Sequence, residues 1–433
     1  MKIYSFPRGG LPYDDPTAPS KNSVVDAYLP ALSVIPLEGN EKQVHPVVSI
    51  GDMVREGMLI GRASGRGAVN VHATVPGRVI RKVFWKDGDG MGNEGLVISM
   101  EGAFEKLGKK DEVFAWNKLS GYDIQKIISD YGIVEMERSG RSLSDIISLA
   151  RRENEKTTLV IRCVFDDPWL AADYALCRER LNAVIEGAAI VAKTALKAAQ
   201  IVFAVSHNEK ELGRSLVSEA GKLDIPSSLV LTGSRYPQRN SRELELALRI
   251  YEKKEGRALG SLLILGPAVL AACYDAVVYK KPIMDRYVAV GGSAVKHPQI
   301  MKVRIGTRIG DLIEQCGSFS QCPEKIVVGS PLSGREVMYL DEPVGKTCYA
   351  IAAMSKTQAA LHKQQNCINC GECRAVCPVG LDPQNIYKQI VSCEPESAVA
   401  AGCHGCGCCK IVCPSALPLF ETILAREKEA AGA

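Results

Sequence analysis

Two copies of one cysteine spacing constrain this chain more than any other feature. Cys367, Cys370, Cys373 and Cys377 run into Pro378, and Cys403, Cys406, Cys409 and Cys413 run into Pro414. Both copies read C-x2-C-x2-C-x3-C-P, the spacing by which paired iron–sulfur cubanes are held. Three thiolates set two residues apart wrap three iron corners of one cubane within a tight loop. The fourth, three residues on, points away and is free to ligate the other cluster. The proline then turns the chain without leaving an N–H unsatisfied. One [4Fe–4S] cluster is therefore assigned to Cys367, Cys370, Cys373 and Cys413, and a second to Cys403, Cys406, Cys409 and Cys377. Gly371, Gly405 and Gly407 let the backbone approach the sulfides. Zinc is the competing metal. Structural zinc sites use two Cys pairs separated by a long gap, which two four-cysteine repeats ending in Cys-Pro fit poorly. Cys408 and Cys393 lie out of register, the first read as a bystander and the second as structural. Between the copies, Asp382-Pro383 caps a helix expected to reach about residue 390. The result is a helical two-cluster domain acting as an electron relay, which something must feed and something must drain.

Composition supports metal rather than disulfide chemistry. Ten of the 16 cysteines lie from Cys367 onward in a chain of 433 residues. That is too long for one core at roughly 150 residues per domain, and too large for a disulfide-stapled secreted module. Residues 1–10 hold no apolar stretch, so no signal peptide is expected. The longest uncharged run, 258–274, is short for a membrane span and is broken by Gly266-Pro267. It reads as a buried strand over 262–265, with Pro267 opening a helix. A net charge of +4 and 6% aromatic residues exclude a nucleic-acid platform.

Hydrophobic patterning divides the rest. Residues 1–103 read as short strands with turns, a compact β domain of sandwich or barrel type, with strands over 47–50, 69–75 and 78–83. The glycine-rich stretch 61–67 lacks a following helix and a Lys-Ser/Thr end, so it reads as a turn rather than a phosphate loop. Residues 104–113 are charged and linker-like. Over 116–284 strands and helices alternate: strands at 157–164, 201–205 and 228–232, helices at 180–197, 209–222 and 242–254. That order predicts a parallel-sheet, Rossmann-like domain. Residues 285–355 form a small α+β module with strands at 287–290, 301–305 and 325–328 and a helix at 310–315. Cys316, Cys322 and Cys348 there are expected to be buried small residues. Residues 356–433 hold the metal motifs. The fold class is thus multidomain α/β and α+β.

The residues also resemble a known family. The stretch Cys367-Ile368-Asn369-Cys370-Gly371-Glu372-Cys373 with Cys377-Pro378, followed by 402–414, is similar to the C subunit of the Rnf electron-transport complex. Phe6-Pro7-Arg8-Gly9-Gly10 looks like that family's opening. Gly51-Asp52-Met53-Val54-Arg55-Glu56-Gly57 and Val71-His72-Ala73-Thr74-Val75-Pro76-Gly77 look like its barrel-sandwich domain. Gly291-Gly292-Ser293-Ala294-Val295 and Ile305-Gly306-Thr307 look like its β-grasp (SLBB-like) module. The order of the four modules carries the resemblance. It implies an iron–sulfur subunit on the cytoplasmic side of the inner membrane, peripheral and without a transmembrane segment. The complex would couple electron transfer of the ferredoxin/NAD class to ion translocation. Its partners would be integral membrane and other subunits, a soluble carrier such as ferredoxin or flavodoxin, and NAD(H).

In that family the parallel-sheet domain binds FMN and NAD(H) through a glycine-rich loop whose amides meet the flavin phosphate. Here the chain departs from the pattern. Within 132–142 only Gly132, Ile133, Val134 and Gly140 match. Glu135 and Glu137 place carboxylates where a phosphate would lie, with Arg138 and Arg141 as the cations able to offset them. Phe165 stands where the family has Glu, while Asp167-Pro168-Trp169 is similar. Tyr236-Pro237-Gln238 is kept, but Arg239 and Asn240 replace the glycines after it. These departures predict weak or absent FMN binding, so no catalytic or flavin-binding residue is assigned. Two other readings share the modules: a stand-alone flavin and iron–sulfur reductase of the cobalamin-reductase type, and a docking subunit with relay clusters. Module order argues against the first of these.

Overall fold

The computed structural model describes the chain except residues 1, 38–43, 66, 89, 91, 105–112, 138, 152–155, 195–197, 199, 360–363, 393–401 and 433. The expectations for the 104–113 linker, Arg138 and Cys393 fall wholly or largely on residues outside that set.

Strands Thr157–Cys163, Gln200–Ser206, Ser227–Thr232 and Ser261–Leu265 form a parallel sheet. They read as continuous apolar runs, and Thr157–Cys163 is buried at every residue, as a sheet covered on both faces requires. Helices Leu181–Lys193 and Pro267–Tyr279 pack together against it, and Lys210–Lys222 and Ser241–Glu255 complete the cover. Pro267 opens its helix at the first position, where its missing N–H costs nothing.

One element of this sheet comes from elsewhere. Ile3–Tyr4 pairs in parallel with Ser227–Thr232 at the sheet edge. Likewise Val24–Asp26 joins the β-grasp sheet beside Gln299–Arg304. Two short strands from within 1–103 thus serve other sheets. Two-residue and three-residue strands carry too little period to declare a partner.

What remains of the N-terminal region is a two-sheet sandwich. Leu32–Pro36, Gly92–Met100, Gly77–Lys86 and Met53–Val54 make one sheet; Val44–Pro46, Leu59–Ala63 and Val71–His72 make the other. Their shared core includes Ile35, Ile60, Val75, Val79 and Ile98. The strand expected over 47–50 is a turn into Gly51, and that over 69–75 shortens to Val71–His72. The 61–67 stretch begins inside strand Leu59–Ala63.

The β-grasp module sets Asp285–Gly291 between Gln299–Arg304 and Ala350–Ser355, with Pro323–Val328 beyond. Helix Ile309–Gln315 belongs to its core, with Leu312 and Ile313 buried. Cys316 and Cys348 are buried there as expected, but Cys322 is exposed, on the loop before Pro323–Val328. From Lys356 onward the described elements are helices: Lys356–Ala359, Glu372–Ala375, Pro383–Val391, Cys408–Ile411 and Leu419–Gly432.

Candidate functional site

The two cysteine repeats adopt one backbone. Asn369 and Gly405, at matching positions, have φ of 57° and 66°. Gly371 and Gly407 lie at φ 79°, ψ −2° and φ 78°, ψ −1°, and each caps a four-residue helix. In each repeat the capping glycine's carbonyl accepts from the residues three and four positions on. The fourth cysteine's N–H then bonds back to Arg374 in one copy and Lys410 in the other. Left-handed φ at these places is what glycine permits and other residues resist. The short helices pack on one another, and Pro383–Val391 packs on Leu419–Gly432, so the copies stand as a pseudo-symmetric pair.

This packing groups the thiols. Cys377, Cys403, Cys406 and Cys409 line one pocket with Cys408, closed by Phe420 and Ile423. Cys367, Cys373 and Cys413 pack in one cluster with Leu417 and Leu419, which Cys409 of the other set also touches, while Cys370 stays exposed outside it. Among the described residues no three His, Cys, Asp or Glu side chains converge on a single ion. The fit to iron–sulfur cubanes therefore rests on the donor set, its grouping and its backbone. Cys408 is more than a spacer: it is buried, and its thiol bonds to Cys406, lowering that thiol to about 7.

The copies differ in their surroundings. Ile368, Asn369 and Cys370 of the first are exposed. The second is held by the α/β domain. The Tyr236 hydroxyl donates to the Cys406 carbonyl at 2.6 Å. Asn240 Nδ2 meets His404 Nδ1 at 3.0 Å, and His404 Nε2 lies 2.8 Å from the buried Glu243 carboxylate. Arg242 donates to the Gly402 carbonyl.

Above the parallel sheet the three motif segments converge on one cleft of about 250 Å³. Its walls include Glu137, Asp166, Tyr236, Arg239 and Tyr349, with Gly405 of the second cysteine repeat. In open α/β sheets ligands sit beyond the carboxyl ends of the strands where strand order reverses. Here that point lies between Thr157–Cys163 and Ser261–Leu265, and the Glu137 carboxylate fills it. A Cβ on Gly266, just past the second strand, would lie 2.0 Å from Glu137 Oε1. Arg162 and Arg239 both pair with Glu137 Oε2, Arg239 at 2.8 Å. Arg239 also lies over the Tyr349 ring. Glu135 meanwhile accepts the Glu137 and Ser139 N–H groups at 2.8 and 2.7 Å. The Glu137 and Ser139 amides and the Arg162 and Arg239 guanidinium groups are thus held by the chain's own carboxylates. Ligand pockets usually run from about 300 to 1,000 Å³, so the cleft is small as well as occupied. The residues present do not fit FMN. Arg141 is exposed on the rim of the loop, and Phe165 packs edge-on against Tyr174 instead of entering the cleft. Burial lifts the Asp166 carboxyl to about 7.

Sequence reasoning located both cysteine sets and all three motif segments, but missed Arg162, Asp166, Tyr236 and His404 as contact residues. Only Tyr236 carried a signal, through the retained Tyr-Pro-Gln.

Residues 4–103 match the RnfC barrel sandwich hybrid domain, 128–256 the Nuo51 FMN-binding domain and 287–341 the SLBB domain. The chain is 28% identical over 403 residues to the C subunit of the ion-translocating oxidoreductase complex of Rhodobacter capsulatus, covering 91% of this chain and 77% of that one. It is 29% identical over 354 residues to the C subunit of the Na(+)-translocating ferredoxin:NAD(+) oxidoreductase complex of Acetobacterium woodii, covering 79% and 77%. It is 28% identical over 388 residues to the proton-translocating counterpart of Clostridium ljungdahlii, covering 87% and 82%. Among solved structures, an NAD+-reducing [NiFe]-hydrogenase in the H2-reduced state aligns with TM-score 0.53 at 12% identity. The alignment covers 73% of this chain and 62% of that one, a likeness of fold. The FMN-binding match is likewise one of architecture, since the cleft residues differ. No described helix is long and apolar enough to cross a membrane. In sequence and in the order of its domains, the chain is thus similar over most of its length to C subunits of Rnf-type ion-translocating oxidoreductase complexes.

Proposed function

We propose that this chain is the iron–sulfur electron-transfer subunit of a membrane-bound Rnf-type complex that couples ferredoxin/NAD-class electron transfer to ion translocation. One observation carries the reading: two cysteine repeats share a backbone and pack as a pair, and Cys377 of the first repeat lines one pocket with Cys403, Cys406 and Cys409 of the second. Cys367, Cys370, Cys373 and Cys413 would hold one [4Fe–4S] cluster, and Cys403, Cys406, Cys409 and Cys377 the other. Such clusters accept and release single electrons. The chain positions the sulfurs, excludes water with Leu417, Leu419, Phe420 and Ile423, and supplies backbone amides near them. The subunit would sit peripherally on the cytoplasmic face of the membrane, bound to integral partners.

The occupied cleft favours a scaffold role for the α/β domain. A phosphate needs converging donors without opposing carboxylates, and Glu135 and Glu137 oppose it. Electrons would then enter through a docked carrier such as ferredoxin or flavodoxin, with NAD(H) handled elsewhere in the complex. Anaerobic assay of the reconstituted chain tests the clusters: about eight iron and eight sulfide per chain are expected. Zinc without sulfide would overturn the assignment. Titration with FMN tests the cleft. Micromolar binding with NADH-dependent bleaching would show that the domain works as a flavin site. Fractionation of cells expressing the whole complex tests the location, and a chain that stays out of the membrane fraction would remove the subunit reading.

A further inference from the structure

The Phe6-Pro7-Arg8-Gly9-Gly10 run is far in sequence from both cysteine repeats, yet it lies against Cys377. Gly9 adopts φ +63°, and a Cβ there would stand 2.6 Å from the Cys377 carbonyl oxygen and 2.7 Å from Val376 O. Both obstacles are backbone and cannot rotate away. The Gly10 N–H donates to Val376 O at 2.9 Å. On its other side Gly10 is closed by the Phe6 ring and Tyr236 O, each 2.6 Å from a Cβ. Leu11 and Tyr236 exchange both backbone hydrogen bonds at 3.0 Å. Phe6 is 1% exposed, and Arg235 lies over its ring and donates to its carbonyl. Arg8 covers Gly380, whose N–H bonds to Cys377 O. The segment therefore threads between the Cys377 peptide and the Tyr236 loop, and the Tyr236 hydroxyl holds Cys406 O. One unit fixes the backbone at two of the four cysteines of the second set.

We infer that residues 6–11 form a positioning strap for the second cluster alone, and that Gly9 is its indispensable member. The inference rests on the two-cluster reading. A side chain at position 9 meets two penalties. Left-handed φ is disfavoured for a residue that carries a Cβ, and the Cys377 peptide must move. Movement of that peptide displaces the thiolate that crosses over to the second cluster, while the first set keeps its own support from Leu417 and Leu419.

The test uses the full chain with clusters rebuilt anaerobically, reduced with dithionite and read by electron paramagnetic resonance. In the Cys367→Ser background the remaining signal comes from the second cluster, and Gly9→Ala should abolish it. In the Cys403→Ser background the remaining signal comes from the first cluster, and Gly9→Ala should leave it intact. Equal effects on both backgrounds, or none, would overturn the strap. Gly256→Ala separates strain from contact: Gly256 has φ +64° with nothing within 4 Å, and both signals should survive. If Gly9→Ala does not fold, Tyr236→Phe removes the hydrogen bond to Cys406 without adding volume. A shifted signal in the first background and an unchanged one in the second supports the strap; any other pattern rejects it. Failure of the two-cluster reading looks different, because the unsubstituted chain would then lack iron and sulfide.

Discussion

The first and second cysteine repeats have the same loops, the same capping glycines and the same short helices, yet they occupy different environments. Ile368 of the first is 64% exposed, whereas its counterpart His404 sits between Asn240 and Glu243. Asn369 is exposed and its counterpart Gly405 is buried against the α/β cleft. Local sequence therefore builds the cysteine loop, and tertiary packing gives each copy its surroundings. The second set faces inward, toward the α/β and β-grasp domains. The first presents Cys370 outward, where a partner could approach.

The strongest way to break this comparison is to remove a ligand from each side. Cys367→Ser and Cys403→Ser should each lower the iron content by about half, from about eight to about four per chain. Only Cys403→Ser should also loosen the C-terminal domain from the rest, visible as faster limited proteolysis. Equal protease sensitivity would mean that the contacts of the second repeat do not hold the domains together.

Next in size is the cleft wall beside the second repeat. Glu137→Ala leaves Arg162 and Arg239 without their carboxylate. Removing one member of a buried ion pair costs about 3–5 kcal/mol, measurable by denaturant unfolding of the apo chain. A loss below about 1 kcal/mol, the range of solvent-exposed pairs, would mean that water reaches the pair. The same variant should leave the first cluster's signal unchanged.

Asp166 in that cleft makes stability depend on pH. Burial lifts its carboxyl to about 7, against about 3.9 in the unfolded chain. Between those values the folded chain holds a proton that the unfolded chain has released, so stability falls as pH rises through the window. Asp166→Asn should therefore be more stable than the parent at pH 8, by up to a few kcal/mol, since each pH unit between the two values contributes about 1.4 kcal/mol. The difference should close near pH 4. A constant difference across the range would assign the effect to lost hydrogen bonding.

The smallest test compares single polar contacts on the two sides. Tyr236→Phe removes a part-buried bond to Cys406 and should cost about 1 kcal/mol. Lys388→Ala removes an exposed bond to Asn369 and should cost no more than about 0.5 kcal/mol. A reversal of that order would contradict the inward and outward assignment.

Features that depend on neighbours in the chain were legible before any tertiary contact. Cysteine spacing with glycines at the left-handed positions specified both cysteine loops, because those conformations and their short-range hydrogen bonds are local. Apolar runs alternating with amphipathic stretches specified the parallel sheet, and Gly266-Pro267 specified where its last helix begins. The long-range pairings were settled only by folding. Ile3–Tyr4 and Val24–Asp26 are too short to announce their sheets. Glu137 was legible as a misplaced charge, but its partner Arg162 lies 25 residues away on a neighbouring element. Tyr236 meets Cys406 across 170 residues, and Gly9 meets Cys377 from the far end of the chain. Such contacts depend on the complementarity of surfaces that form only after their elements have folded, and no spacing or periodicity along the chain records it.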